Sequence, residues 1–256
     1  MTQTGLFDLT GRTALVTGAS SGIGARMAHA LAAAGADVIL VARRADALKA
    51  KSEEIARATG RRAAAVPCDV MADDAADVLA SDVKAVLRDP DILVNAAGVN
   101  LRQPWEDITP ETWRRTLTLN LEVPFFLARA LVGPMIANGY GRIINIASLQ
   151  SVRAFPNSMP YGASKGGIAQ LTRAMAEAWS PHGVTANAIA PGFFKTELTA
   201  PVFENPELAD KQAAATAIGR NGELEDLDGP TVFFASPASA YVTGQVIGVD
   251  GGYTAK

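Results

Sequence analysis

The chain has 256 residues, a formal net charge of −3, and 48% hydrophobic against 19% charged residues. That length allows one α/β domain with a large core, and the composition is that of an ordinary globular chain. The mild negative charge gives no indication of a nucleic-acid or anionic-membrane partner.

Residues 1–8 have no basic start and no apolar segment, so no signal peptide is expected. No later run is expected to reach the length that crosses a bilayer. The first strand is predicted at 13–17 and runs into Thr17-Gly18-Ala19-Ser20-Ser21-Gly22-Ile23-Gly24. An alanine-rich helix follows at 23–34. Strand, glycine turn and helix together make a dinucleotide site: glycines let the backbone approach a pyrophosphate, and a helix N-terminus supplies free amides. The spacing is Gly-x-x-x-Gly-x-Gly rather than Gly-x-Gly-x-x-Gly.

A second strand at 38–41 runs into Ala42-Arg43-Arg44, then a helix at 45–59. NAD enzymes place an acidic residue at the end of this strand to take the ribose hydroxyls. Here that position is Ala42, and Arg43, with Arg44 second, could pair with a 2′-phosphate. NADP(H) is therefore favoured. Ser20 and Ser21 stand where many NADP enzymes carry a companion basic residue, so NAD(H) use stays open. The bland reading of Arg43-Arg44 is a basic turn capping the next helix.

Further strands are predicted at 63–66, 92–95, 142–146, 185–189 and 246–249. Helices are predicted at 74–88, 110–138, 159–180 and, more weakly, 206–217. Cys68, the single cysteine, excludes an internal disulfide, fits a reducing cytoplasm, and is expected as a small buried side chain ending a strand. His29 and His182 are expected to be structural, and no metal site is expected. Alternating strands and helices predict a single-domain, Rossmann-type, doubly wound sheet of about seven parallel strands, with helices on both faces. Ligands in such sheets bind beyond the carboxyl ends of the strands. Gly18, Asn95 and Ser148 all fall at such ends.

In the helix at 159–180, Tyr161 and Lys165 are one turn apart and share a face. A free phenol has a pKa of about 10, and a fixed cation beside it favours the phenolate. Ser148, at a strand end, can hold the oxygen that the phenol protonates or deprotonates. The stretch 192–223 is long and irregular, with Phe193, Phe194, Leu198, Val202 and Phe203 among prolines and polar residues. It is either a surface excursion with an apolar anchor or a lid that excludes water.

With these features in place, the chain resembles the short-chain dehydrogenase/reductase family over nearly its whole length. The resemblance rests on Thr17-Gly18-x-x-x-Gly22-x-Gly24, Asn95-Ala96-Ala97-Gly98, Asn120, Ser148, Tyr161-x-x-x-Lys165, Pro191-Gly192 and Val249-Asp250-Gly251-Gly252. Ala96 departs from the family, which more often has a second asparagine there. The resemblance implies hydride transfer between a nicotinamide and a secondary alcohol or ketone. Tyr161 would be the general acid or base, and Lys165 would hold ribose hydroxyls and keep the phenol acidic. Ser148 would orient the reacting oxygen, and Asn120 would position a water that relays protons to Lys165. It also implies cofactor contacts from Asp69 and Val70 at the adenine, from Asn95, Ala96, Ala97 and Gly98 at the adenosine and ribose, and from Pro191, Gly192, Phe194 and Thr196 on the lid side. In the family, helices matching 110–138 and 159–180 pair across a two-fold axis, so a homotetramer is expected, with a second contact from 240–253.

Three stretches carry a narrower resemblance, to gluconate 5-dehydrogenases: Gly98-Val99-Asn100-Leu101-Arg102-Gln103-Pro104-Trp105, Ser148-Leu149-Gln150-Ser151, and the run from Pro191 to Thr199. Arg102 and Gln150 would then face a substrate carboxylate and hydroxyls. Residues 152–157 are apolar and depart from that group. A 3-oxoacyl-carrier-protein reductase or a broad carbonyl reductase is the alternative within the family. A non-catalytic nucleotide-sensing protein is the alternative outside catalysis, although such proteins usually lose the tyrosine or lysine.

Overall fold

A computed structural model describes residues 3–256. Met1 and Thr2 lie outside the described residues, and with them part of the signal-peptide expectation for residues 1–8 and the first positions of the single-domain expectation. Seven strands form one parallel sheet in the order β3-β2-β1-β4-β5-β6-β7. They are β1 (Thr13–Thr17), β2 (Asp37–Ala42), β3 (Ala63–Pro67), β4 (Ile92–Asn95), β5 (Gly141–Ile146), β6 (Val184–Pro191) and β7 (Val246–Val249). Each matches its predicted run to within two residues.

Period-two alternation sorts the strand side chains onto two apolar faces. Ala14, Val16, Val38 and Leu40 point to one face, where they meet Met27 and Leu31 of α1 (Gly22–Ala33) and Leu48 and Ile55 of α2 (Ala45–Thr59). Leu15, Ile39, Val41 and Leu93 point to the other. There they meet Leu79 and Val83 of α3 (Ala75–Val86) and helices from the middle of the chain.

The predicted helix at 110–138 is not one uniform α-helix. α4 (Pro110–Leu117) passes through a π turn, Thr118–Glu122, into α5 (Val123–Ala137). Together these span 28 residues and are apolar enough to cross a bilayer by length and composition, which corrects the expectation that no run would be. The run is apolar because α5 lays Leu127, Leu131 and Met135 against the sheet. α6 (Met159–Trp179) packs beside β6 and adds Met175 and Ala176 to the same core.

After β6 come α7 (Ala200–Phe203), α8 (Pro206–Ala215) and α9 (Asp228–Ala235). α9 was not predicted, because its Gly-Pro start hides an eight-residue helix. It packs on α1, fixed by Phe234, which is fully buried, and by ion pairs from Arg26 to Asp228 and Glu225. Truncating a buried Phe to Ala typically costs ~3–5 kcal/mol through lost burial and an unfilled cavity. Phe234→Ala is therefore expected to lower unfolding free energy by about that amount in denaturant titration, and Phe233→Ala, at a half-buried position, by less than half as much. Equal losses at the two positions would contradict this packing.

Candidate active site

The strand order reverses between β1 and β4, since β2 and β3 lie on one side of β1 and β5 to β7 beyond β4. At such a switch point the two outgoing loops part and leave a crevice. Here the loops are the glycine turn after β1 and Ala96-Ala97-Gly98 after β4. They nearly touch: a Cβ on Gly18 would lie 2.9 Å from the Ala97 backbone, and Gly18 has φ +66°. Gly24 is equally confined, with a Cβ there lying 2.5 Å from the Gly18 carbonyl oxygen. Thr17 closes the junction, its buried Oγ1 accepting from the Ala96 and Ala97 amides at 3.1 and 3.2 Å. α1 starts directly from this turn. Ser21 precedes it in extended conformation without a side-chain cap, so the first-turn amides stay open to an anion. A pyrophosphate fits this cradle.

The crevice is a cleft of about 600 Å³. Gly18, Ser20, Ser21, Gly22, Ile23, Gly24, Arg43, Arg44, Asp69, Val70, Ala96, Ala97, Gly98, Arg102, Ser148, Gln150, Tyr161, Lys165, Pro191, Gly192, Phe194 and Thr196 all line it. Of the predicted site residues, Asn95 and Asn120 do not. Asn95 points inward, donating to Asn145 Oδ1 at 2.9 Å, and Asn145 donates in turn to Thr172 Oγ1 at 2.9 Å. The side chain therefore joins β4 to β5 and α6.

Asn120 lies in the π turn and is buried. π turns are rare and often mark functional positions. Its amide exchanges two 2.9 Å hydrogen bonds with the Val99 backbone, as acceptor from the N–H and donor to the carbonyl. It also donates to Ser164 Oγ at 3.1 Å. The side chain thus clamps the loop after β4 to the first turns of α6. Ser164 passes the link on, donating to the Tyr161 carbonyl at 2.7 Å.

Tyr161 and Lys165 share one face of α6, as their spacing predicts. Burial raises the Tyr161 phenol above its ordinary value, offset by a hydrogen bond with Ser148 and by the Arg102 charge. Burial also lowers Lys165, to about 8. Its ammonium is therefore lost as pH rises through about 8. Lys165 Nζ donates to the Ile146 carbonyl at 2.6 Å and stands 5.5 Å from the Tyr161 ring centroid. The ammonium is anchored on β5 and its own charge is disfavoured by burial.

Ser148 follows β5 in extended conformation, and its Oγ accepts from the Gln150 amide at 3.1 Å. Ser151 closes the turn, accepting from Ser148 N at 3.3 Å and donating to the Lys165 carbonyl at 2.7 Å. Ser151 and Ser164 hold the turns that carry Ser148, Tyr161 and Lys165, and neither was singled out from sequence. Their one sequence signal is placement three residues after Ser148 and Tyr161.

Arg102 has φ +49°, a left-handed conformation unusual for a non-glycine residue. Asn100 Oδ1 holds it, accepting from the Arg102 amide at 3.2 Å. Gln150 lies by the start of α6, its Oε1 3.5 Å from where a Gly162 Cβ would stand. Phe155 and Phe193 line the cleft and form a triangle with Tyr253, with centroids 5.9 to 6.0 Å apart.

At the opposite end, Arg43 lines the cleft with an exposed side chain. Arg44 lies on the glycine loop, donating to Ser20 Oγ at 3.1 Å and Ser21 Oγ at 3.0 Å. Arg44 is thus the arginine held over the loop, whereas sequence placed Arg43 first. Asp69 Oδ1 accepts from the Met71 amide at 3.1 Å, a local turn bond. Cys68 is half-buried at the cleft wall, and burial followed by Asp69, Asp82 and Asp74 raises its thiol, which keeps it protonated rather than nucleophilic.

A family profile described as enoyl-(acyl carrier protein) reductase matches residues 18–254. A gluconate 5-dehydrogenase of Gluconobacter oxydans is 41% identical over 99% of both chains. A galactitol 2-dehydrogenase (L-tagatose-forming) of Cereibacter sphaeroides is 40% identical over 97% of both. The crystal structure of a gluconate 5-dehydrogenase from Burkholderia cenocepacia, in complex with NADP and tartrate, superposes with a TM-score of 0.94 at 37% identity, covering 99% of both chains. The glycine cradle at the switch point, the Ser148–Tyr161–Lys165 cluster and full-length identity of this order agree: the chain belongs to the short-chain dehydrogenase/reductase family and is an NAD(P)-dependent oxidoreductase acting on a secondary alcohol or its ketone.

Proposed function

We propose that the protein interconverts a sugar acid and its keto form, of the gluconate/5-ketogluconate type, using NADP(H). The observation that carries the substrate class is Arg102, held in a strained conformation with its charge acting on the Tyr161 phenol. The acidic residues lining the cleft, among those described, are Asp69 after β3 and Glu197, which is paired with Arg44. Neither sits at the Tyr161 end to repel a carboxylate there. The curated relative and the solved relative named for gluconate agree with this class.

When bound, the nicotinamide supplies or takes the hydride. Tyr161 gives a proton to the carbonyl oxygen during reduction and takes it during oxidation. Ser148 Oγ orients that oxygen, and Lys165 holds the ribose hydroxyls. Asn120 acts through the clamp described above, which fixes where Tyr161 and Lys165 stand. The glycine loop amides take the pyrophosphate, and Arg44 with Arg43 takes the 2′-phosphate, since Ala42 offers no carboxylate at the end of β2. The NADP complex of the Burkholderia cenocepacia relative supports that cofactor.

The chain works in this reading as one dinucleotide-binding unit, with 192–223 as the lid. Phe194 supports the lid: it is buried in the core below and bridges to Gly222 at the far end of the segment. A homotetramer is also proposed. Trp113 and Phe126 expose apolar surface on α4 and α5, and Met159 does so on α6. β7 forms an open sheet edge beside the fully exposed Tyr241. Light scattering at micromolar concentration is expected to give four chain masses, and a clean monomer would refute it.

A second reading has its own observation. The Phe155–Phe193–Tyr253 triangle presents an apolar wall that suits a less polar ketone, such as a 3-oxoacyl group. Substrate kinetics separate the two. Arg102→Leu is expected to raise KM for a hexonate about ten- to a hundredfold, the loss of one charge-assisted hydrogen bond, and to leave a neutral polyol or apolar ketone nearly unchanged. No turnover of any hexonate, or equal effects on both, rejects the sugar-acid reading. Tyr161→Phe is expected to cut turnover ~10²–10⁴-fold while cofactor affinity changes little. A variant keeping more than about a tenth of wild-type turnover would remove Tyr161 from the proton-transfer role.

A further inference from the structure

Arg44 and Glu197 lie 153 positions apart and meet across the mouth of the cleft. Arg44 follows β2 at the start of α2. Both of its terminal nitrogens donate to Glu197 Oε1 at 3.1 Å, and Nη2 also reaches Oε2 at 3.2 Å. The same Nη2 donates to Ser20 and Ser21 of the glycine loop. One guanidinium therefore holds both the loop that cradles phosphates and a carboxylate from 192–223.

Glu197 is well placed to stay there. It opens a short turn, Glu197–Thr199, whose base is tied by Thr196 N donating to Thr199 Oγ1 at 3.0 Å. Thr196 packs against the glycine loop, its Cγ2 3.3 Å from where a Cβ on Gly22 would stand. Yet both side chains are largely exposed, at 54% for Arg44 and 67% for Glu197. Exposed ion pairs are weak, because water screens them and two long side chains must be held still. A phosphate dianion carries more charge and three acceptor oxygens that match the guanidinium fork.

We infer that Glu197 is a cofactor-specificity residue: its carboxylate competes with a 2′-phosphate for the Arg44 fork. With a cofactor lacking that phosphate, the pair stays closed and ties the lid to the glycine loop. With a 2′-phosphate present, the phosphate takes Arg44 and Glu197 is released, since two anions cannot share the fork without repulsion. Glu197 thus sets how far the site leans towards NADP(H), and it couples the adenosine end to the 196–199 turn. This rests on the NADP(H) reading above and adds a second residue, on a different segment, to the selection.

The test uses cofactor fragments and needs no turnover. Calorimetry would compare adenosine 2′,5′-bisphosphate with adenosine 5′-monophosphate on the wild type, Glu197→Gln, Arg44→Gln and the double variant. The wild type is expected to bind the bisphosphate more tightly. Glu197→Gln is expected to tighten it further, about two- to fivefold, the scale of a weak competing ion pair, while the monophosphate changes less than about 1.5-fold. The gain is expected to vanish in the Arg44→Gln background. Amide exchange should also be faster at 196–199 with the bisphosphate bound than with the monophosphate. A wild type that favours the bisphosphate but gains nothing, or loses affinity, in Glu197→Gln overturns the competition and leaves the NADP(H) reading standing. A gain that persists without Arg44 also overturns it. A wild type that binds the two fragments equally overturns both.

Discussion

One buried side chain, the amide of Asn120, sets the relative position of the parts that do chemistry. It bonds the Val99 backbone on one side and Ser164 on the other, and it sits on the π turn between α4 and α5. A buried amide must keep its partners, because an unsatisfied one costs the full desolvation of that group. The loop after β4 and the first turns of α6 are therefore not free to drift apart. The confinement is visible at Gly98, where a Cβ would lie 3.2 Å from Asn120 Oδ1 and 3.9 Å from Lys165 Nζ. Losing Asn120 would leave the sheet intact and uncouple the crevice wall from Tyr161.

The sheet supplies the other half of the constraint. Because β1 and β4 are neighbours, their outgoing loops are forced together; Gly18 lets their backbones come as close as they do, and Gly24 lets α1 start against the Gly18 carbonyl. Thr17 and Asn95 then work below the surface. Thr17 ties the Ala96 and Ala97 amides, while Asn95, Asn145 and Thr172 form a polar line through the core from β4 to α6. Such lines cost burial energy unless satisfied, and Asn95 Oδ1 has no partner among the described residues. A polar line through the core thus runs beneath the site, where rigidity matters for near-attack geometry.

Much of this was legible in the chain. Glycine turns, β-branched runs and the Tyr161–Lys165 spacing report backbone conformation and shared faces, which are local properties. The seven strands, the glycine loop and the Ser148, Tyr161 and Lys165 positions followed from them, while most of the remaining cleft-lining positions came from the family resemblance. What escaped depends on partners far away in sequence. An i→i+5 turn has the same composition as the α-helix around it, so Asn120 was placed on a uniform helix. Asn95 stands in a turn motif and yet bonds fifty residues away. α9 begins Asp-Gly-Pro and is held by Phe234 and Arg26 rather than by its own propensity. Arg43 and Arg44 are indistinguishable as a dipeptide. Only the fold shows that Arg44 turns onto Ser20 and Ser21.

The two cation sites show how burial divides the work. Lys165 is enclosed, and its ammonium is pushed to about 8, close enough to neutrality for its charge to respond to whatever binds beside it. A carboxylate or phosphate brought near would stabilise that charge, so ligand binding and protonation at Lys165 are linked in sign: the bound state holds the proton to higher pH. Arg44 stays in water, where its guanidinium fork can trade one anion for another. The interior cation is thus suited to proton chemistry and the rim cation to selection. The same segment that lines the cleft with Pro191 and Gly192 also carries Glu197 to the rim, so one stretch of chain borders both sites.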